Sequence, residues 1–122
     1  MLINSYKDLI VWQKSLKLCK DIYKLTGKFP KEEVYGLTSQ IRRSSVSIPS
    51  NIAEGRSRGT RKDFSQFLRI ALGSASELQT QIEIAPELSY ITQKEYIDTS
   101  TLIEEVSKMI MGLIKKFSIT ST

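Results

Sequence analysis

The sequence predicts an all-α fold, a single antiparallel up-down-up-down four-helix bundle that spans residues 1–122. Four segments place apolar residues at the three- and four-residue spacing of a helix, and glycine or proline lies between them. No stretch alternates apolar and polar residues as a strand does. With 122 residues, of which 40% are hydrophobic and 25% charged, the chain has the size and composition of one globular domain.

The first helix is predicted over about residues 6–26. Ser5 with Asp8 is typical of a helix start, and Gly27 is typical of a helix end. The single cysteine, Cys19, lies on an apolar stripe and is interpreted as a buried structural thiol. Two neighbouring stripes together cover more of the helix than one core requires, which predicts two sets of neighbours. The stripes are Val11, Leu18, Ile22 and Leu25, and Trp12, Leu16, Cys19 and Tyr23.

The second helix is predicted over about residues 31–55. Pro30 suits the first turn of a helix. Pro49 lies inside the segment and predicts a kink, or a break near Ser47, because proline removes one helical hydrogen bond. Gly55 is expected to take the left-handed conformation that commonly ends a helix. The predicted core stripe is Leu37, Ile41, Ile48 and Ile52.

Beside that core stripe lies a row of polar residues on one side of the same helix. Its six members follow one another at intervals of 3, 4, 4, 3 and 4 residues, and they offer amides, a hydroxyl, a carboxylate and guanidinium groups. A solvated face, a subunit contact and a nucleic-acid contact are the three interpretations of such a row. We assign it mainly to a subunit contact. The polar row is Gln40, Arg43, Ser47, Asn51, Glu54 and Arg58.

The third and fourth helices are predicted over about residues 61–88 and 93–117. The third carries a regular core seam, and small residues including Gly73 should let the second helix approach closely. Phe67 and Ile70 lie off the seam, either at its partly buried margin or in a second interface that would extend the subunit contact. Thr92 with Glu95 indicates a capping box. The predicted core residues are Phe64, Leu68, Ala71, Ala75, Leu78 and Ile82, then Leu102, Val106, Ile110, Leu113 and Phe117.

Composition argues against several function classes. The chain has no histidine and one cysteine, so it lacks the usual general base and any cysteine-based zinc cage. We therefore expect no enzyme activity, no catalytic residue, no metal and no cofactor. No apolar run reaches the length of a membrane span, and the first residues lack a signal-peptide pattern, so we expect a cytoplasmic protein without a membrane partner.

The central run SIPSNIAEG, preceded by FPKEEVYGL and QIRRSSV and followed by FSQFLRIALGSASEL, resembles the 23S rRNA intervening-sequence protein family. The resemblance extends from DLIVWQKSLKL in the first helix to SYIT near Tyr90. It implies a small four-helix bundle that assembles into a pentamer and whose biochemical role is poorly defined. More distantly, the chain is similar to the accessory protein of diversity-generating retroelements, a basic pentameric bundle that works with a reverse transcriptase on nucleic acid.

The net charge is +5, and all six arginines fall between residues 42 and 69. The turn between the second and third helices therefore predicts phosphate contacts, because guanidinium groups bind phosphate in a bidentate manner. Our first hypothesis is a homo-oligomer that binds nucleic acid, RNA or DNA, electrostatically, with a nucleic-acid-processing protein as a further partner. The alternative is an oligomeric adaptor that docks another protein through the fourth helix or through Phe67 and Ile70. The predicted phosphate-binding residues are Arg42, Arg56, Arg58, Arg61, Lys62 and Arg69.

Overall fold

The computed structural model describes residues 5–118, which form four α-helices and confirm the predicted fold class. Each helix contacts its neighbours in chain order, and the fourth also contacts the first. At one end of the bundle the Arg61 Nη2 atom donates to the Lys116 carbonyl, and at the other end Lys28 pairs with Glu95. These contacts join the start of one helix to the end of another, so the packing is antiparallel. The helices are α1 (Ile10–Thr26), α2 (Leu37–Ser57), α3 (Arg61–Glu87) and α4 (Gln93–Phe117).

The core lies between the four helices, and the predicted α3 seam is buried along its whole length. The fourth helix differs from the prediction, because Leu102, Leu113 and Phe117 are only partly buried. This helix packs on α3 and on α1. Ile103 and Ile114, which lie beside the predicted row, are buried instead of those three residues. The buried residues of α4 are Ile103, Val106, Ile110 and Ile114.

Two helices begin later than the sequence suggests. Ser5 caps a 3-10 turn, Tyr6–Asp8, and the extended backbone of Leu9 separates that turn from α1. Before α2, Pro30 precedes a second 3-10 turn, Lys31–Glu33, and the helix starts only at Leu37. The residue before α2 is Gly36, which has no side chain to cap the helix. The Glu33 carboxylate supplies the cap instead, accepting the Leu37 N–H at 3.0 Å.

Gly55 is not at the end of its helix, so the predicted left-handed conformation is wrong. It is a buried residue inside α2, which continues to Ser57, and the positive φ of 89° belongs to Gly59. A Cβ atom built on Gly55 would lie 2.5 Å from the Phe67 Cβ of α3. Gly55 is therefore the point of closest approach between α2 and α3. Gly73, predicted to serve that purpose, is exposed and a Cβ there would meet nothing within 4 Å.

Pro49 does not break α2, which runs through it as a continuous helix. Because proline has no N–H, the Ser45 carbonyl loses its helical donor. The Cys19 Sγ atom of α1 lies 3.0 Å from that carbonyl and donates to it. Burial raises the pKa of the Cys19 thiol, which keeps it protonated as this contact requires. The cysteine thus replaces the missing backbone donor.

The Glu33 carboxylate connects two loops by hydrogen bonds that we expect to be lost in acid. Its second carboxylate oxygen accepts from the Tyr90 hydroxyl at 2.7 Å, and the hydrogen bonds from Leu37 and Tyr90 lower the pKa of Glu33. A carboxylate with a lowered folded pKa stabilises the fold above its unfolded pKa, and this contribution disappears as pH falls through the folded value. Glu33→Gln is expected to lower the melting temperature at pH 7, with a smaller difference from the parent protein at pH 3. Thermal unfolding followed by circular dichroism measures both values.

The neighbouring exposed residue provides the control for this experiment. Glu32 makes no hydrogen bond or ion pair within residues 5–118, so Glu32→Gln should leave the melting temperature near that of the parent at both pH values. A Glu33→Gln protein as stable as the parent at pH 7 would contradict the capping role.

Candidate functional site

The polar row of α2 lies along the groove between α2 and α3. At its centre the Ser47 and Ser74 hydroxyl oxygens are 2.7 Å apart, and the Asn51 amide donates to the Ser47 carbonyl and hydroxyl. Ser47 thus joins α2 to α3 within one chain, and the half-buried Asn51 holds the Ser47 hydroxyl from within α2. Gln40, Arg43 and the far end of the row remain exposed. The row is therefore partly an internal network, which the sequence did not indicate.

At the exposed end of the polar row, Arg58 contacts Phe67, the aromatic residue predicted to extend the subunit contact. Arg58 donates to the Glu54 carboxylate at 2.9 Å, and its guanidinium carbon lies 5.0 Å from the centre of the Phe67 ring. Phe67 and Ser74 both contact α2, so Ile70, one turn from each, lies on the same side of α3. We call this surface the α2/α3 face. It contains all seven predicted interface residues, Gln40, Arg43, Ser47, Asn51, Glu54, Phe67 and Ile70.

Arg42 lies apart from the other five predicted phosphate-binding residues. Its guanidinium group is 4.5 Å from the centre of the Tyr23 ring and donates to the Thr26 hydroxyl and the Tyr23 carbonyl. Arg42 also precedes Arg58 by 16 residues, about 24 Å along a helix. Its contacts join α2 to α1. It does not belong to the basic group at the α2–α3 turn.

Cations from three helices gather at the end of the bundle where α2 stops and α3 begins. The Arg61 guanidinium lies 5.0 Å from the centre of the Phe117 ring, and Arg69 donates to the Ser118 hydroxyl at 3.1 Å. The antiparallel packing brings the last turn of α4 here, with Lys115 and Lys116. These two lysines were missed from sequence, although up-down topology would place them here. We define the basic end as Arg56, Arg58, Arg61, Lys62, Arg69, Lys115 and Lys116.

A cavity of about 380 Å³ opens within the basic end. Lys62 and Arg69, two turns apart on α3, line it together with donors that carry no charge. Lys62 forms no ion pair or hydrogen bond through its side chain within the described part of the chain. An ammonium group, a guanidinium group and hydroxyls around one space provide the donors that a phosphate requires. The lining residues are Lys62, Ser65, Gln66, Arg69 and Ser118.

Among residues 5–118, no group of three histidine, cysteine, aspartate or glutamate residues is placed to hold a metal ion. No described helix has both the length and the apolar content to cross a membrane.

Comparison with known proteins relates the whole bundle to one family. Residues 7–112 match the family model described as 23S rRNA-intervening sequence protein. A similar crystal structure is that of a protein of unknown function from the S23 ribosomal protein family of Bacteroides thetaiotaomicron VPI-5482. The two share 31% sequence identity and a TM-score of 0.78, over 87% of this chain and 99% of that one. No curated protein matches the chain.

Proposed function

Because the chain belongs to the 23S rRNA-intervening sequence protein family, we propose that it is a non-catalytic, self-associating bundle that binds nucleic acid through phosphate contacts. RNA is the expected class of nucleic acid, and the cytoplasm is the proposed location. The observation that carries the proposal is the cavity of about 380 Å³ beside Lys62 and Arg69, where two cations and uncharged donors line one space that is wide enough to admit a phosphate. The absence of histidine supports a function without catalysis.

The contacts at the basic end favour binding that does not depend on base sequence. Lysine and arginine attract phosphate regardless of the base attached to it. Single-stranded bases are recognised by stacking on aromatic rings. The Phe67 and Phe117 rings are each contacted by a guanidinium group, from Arg58 and Arg61. The affinity should therefore depend on salt much more than on sequence.

Self-association is proposed through the α2/α3 face, and the family resemblance suggests five copies. Each copy would carry one basic end, and simultaneous contacts along one nucleic acid strengthen binding without any new contact. A site with few cations could then bind tightly as part of an assembly.

The proposal predicts that Lys62→Ala with Arg69→Ala weakens RNA binding at low salt and makes the remaining binding less sensitive to salt. Each lost phosphate contact should reduce the slope of log affinity against log salt by about one. Fluorescence anisotropy with a labelled single-stranded RNA and an RNA duplex, at several potassium chloride concentrations, measures both quantities.

A matched control removes the same charge from another surface. Lys20 and Lys24 are exposed on α1 and form no ion pair within residues 5–118. Lys20→Ala with Lys24→Ala should therefore change the slope less than the double substitution at the basic end. Equal effects of the two double variants would show that only net charge matters, and would contradict a site at the basic end.

The alternative, a protein adaptor, draws on apolar side chains exposed on α4. Ile97 and Met111 are about half exposed there. Absence of RNA and DNA binding at low salt, together with recovery of one defined protein in a pull-down after nuclease treatment, would favour the adaptor over nucleic-acid binding.

A further inference from the structure

A second cavity, of about 350 Å³, lies on the α2/α3 face away from the basic end. Four residues of α2 and one of α3 line it, and all five side chains are polar. A cavity of this size can hold a small metabolite but has no aromatic or aliphatic wall. Its lining residues are Gln40, Arg43, Ser44, Ser47 and Glu77; we call it the polar notch.

The polar notch contains two opposite charges that do not neutralise each other. Arg43 and Glu77 are exposed and both line it, yet neither forms an ion pair with any residue in the range 5–118. Elsewhere on the surface, Glu54 and Arg58 do pair. The Gln40 amide and the Ser44 hydroxyl also lack a hydrogen-bond partner within that range. The notch therefore presents a guanidinium, a carboxylate and neutral polar groups to an occupant.

An unsatisfied buried acceptor lies one helical turn from the notch. Gln81 is 5% exposed, and its side-chain oxygen has no hydrogen-bond partner within the described residues. Since Ser47 lies opposite Ser74, the antiparallel register places Gln81 opposite Gln40, one turn beyond Glu77. Gln81 does not line the notch itself, so the donors and acceptors open to an occupant are those of the five lining residues.

We propose that the polar notch binds a free α-amino acid in its zwitterionic form, one with a polar, hydrogen-bond-donating side chain. The ligand carboxylate would bind the Arg43 guanidinium through two hydrogen bonds, and its ammonium group would bind the Glu77 carboxylate. Gln40 and Ser44 would contact the rest. The all-polar lining disfavours aliphatic amino acids. A nucleobase is disfavoured because no aromatic ring lines the notch to stack on it.

This inference does not depend on nucleic-acid binding. However, Gln40, Arg43 and Ser47 also belong to the face proposed for self-association. The experiment must therefore measure ligand binding and assembled mass separately.

Isothermal titration calorimetry tests the proposal on the full chain with L-glutamine, glycine, L-leucine, acetate and ethylammonium. L-Glutamine is expected to bind best and L-leucine worst among the amino acids. Acetate and ethylammonium, which each carry only one of the two charges, should bind at least tenfold more weakly than glycine. Arg43→Ala and Glu77→Ala should each weaken L-glutamine binding about tenfold or more, as loss of a charged hydrogen bond implies. Glu87→Ala, an exposed acid of α3 outside the notch, should leave it unchanged.

Three results would overturn the proposal. Acetate that binds as well as glycine would reduce the notch to an anion site. Guanosine monophosphate that binds when no amino acid does would identify a nucleotide site. No binding of any amino acid, with a lower assembled mass for Arg43→Ala in light scattering, would make the notch a subunit contact alone and leave self-association standing.

Discussion

Gly55→Ala is expected to destabilise the bundle, although alanine is the better helix former by about 1 kcal/mol. The added methyl group would lie 2.5 Å from the Phe67 Cβ and 3.4 Å from the Phe64 Cα. Both are atoms of or next to the backbone, so a side-chain rotation cannot relieve the contact and α2 must move away from α3. Inserting a methyl group into a tightly packed site typically costs about 1–3 kcal/mol. After the gain in helix propensity is subtracted, we expect a net loss of up to about 2 kcal/mol in urea denaturation.

Two other helical glycines supply controls of the opposite sign. Gly73 and Gly112 are exposed inside α3 and α4, and a Cβ atom on either would meet nothing within 4 Å. Alanine there should raise the free energy of unfolding by roughly 0.5–1 kcal/mol. Phe67→Ala should not rescue Gly55→Ala, because it keeps the Cβ atom. A Gly55→Ala protein as stable as the Gly73→Ala protein would disprove the close approach.

Ile70→Arg is expected to disrupt self-association while leaving the monomer folded. Ile70 is 51% exposed in the single chain, so arginine can reach solvent there. In an assembly built on the α2/α3 face, the new charge would be buried without a partner. Interface hot spots contribute at least about 2 kcal/mol, which corresponds to roughly 30-fold in the association constant. Sedimentation velocity over a range of protein concentrations measures the change in assembled mass.

Ile97→Arg is the matched control for that substitution. Ile97 is the same residue type, 50% exposed, on the outer side of α4. It should leave the assembled mass unchanged. If Ile97→Arg dissociates the protein and Ile70→Arg does not, the subunit interface lies on α4 and not on the α2/α3 face.

Packing on a single seam made some features predictable from sequence. The six predicted core residues of α3 are all buried, because each turn contributes one residue to the same line of contacts. The spacing of the polar row correctly placed its members on one side of α2. It could not show that Ser47 contacts Ser74 in the same chain, because that depends on how α2 is rotated about its axis.

Other features depend on tertiary contacts that no local pattern records. Gly55 and Gly59 both lie shortly before the start of α3. Only the packing against Phe67 shows that Gly55 is inside α2 and that Gly59 is in the turn. Lys115 and Lys116 lie more than fifty positions from Arg61 in sequence, and they join the basic end only when α4 docks. Arg42 resembles its neighbour Arg43, yet the two point to α1 and to the α3 groove.

The contact between Cys19 and the Ser45 carbonyl bears on the order in which the chain folds. An isolated α2 segment cannot satisfy this carbonyl from within, because Pro49 occupies the donor position four residues later. The Ser45 carbonyl of α2 therefore gains its hydrogen bond only when α1, which carries Cys19, packs against α2. We expect α1 and α2 to pack together and α2 to become fully ordered in one step. A peptide that covers only α2 is therefore expected to be frayed at its middle.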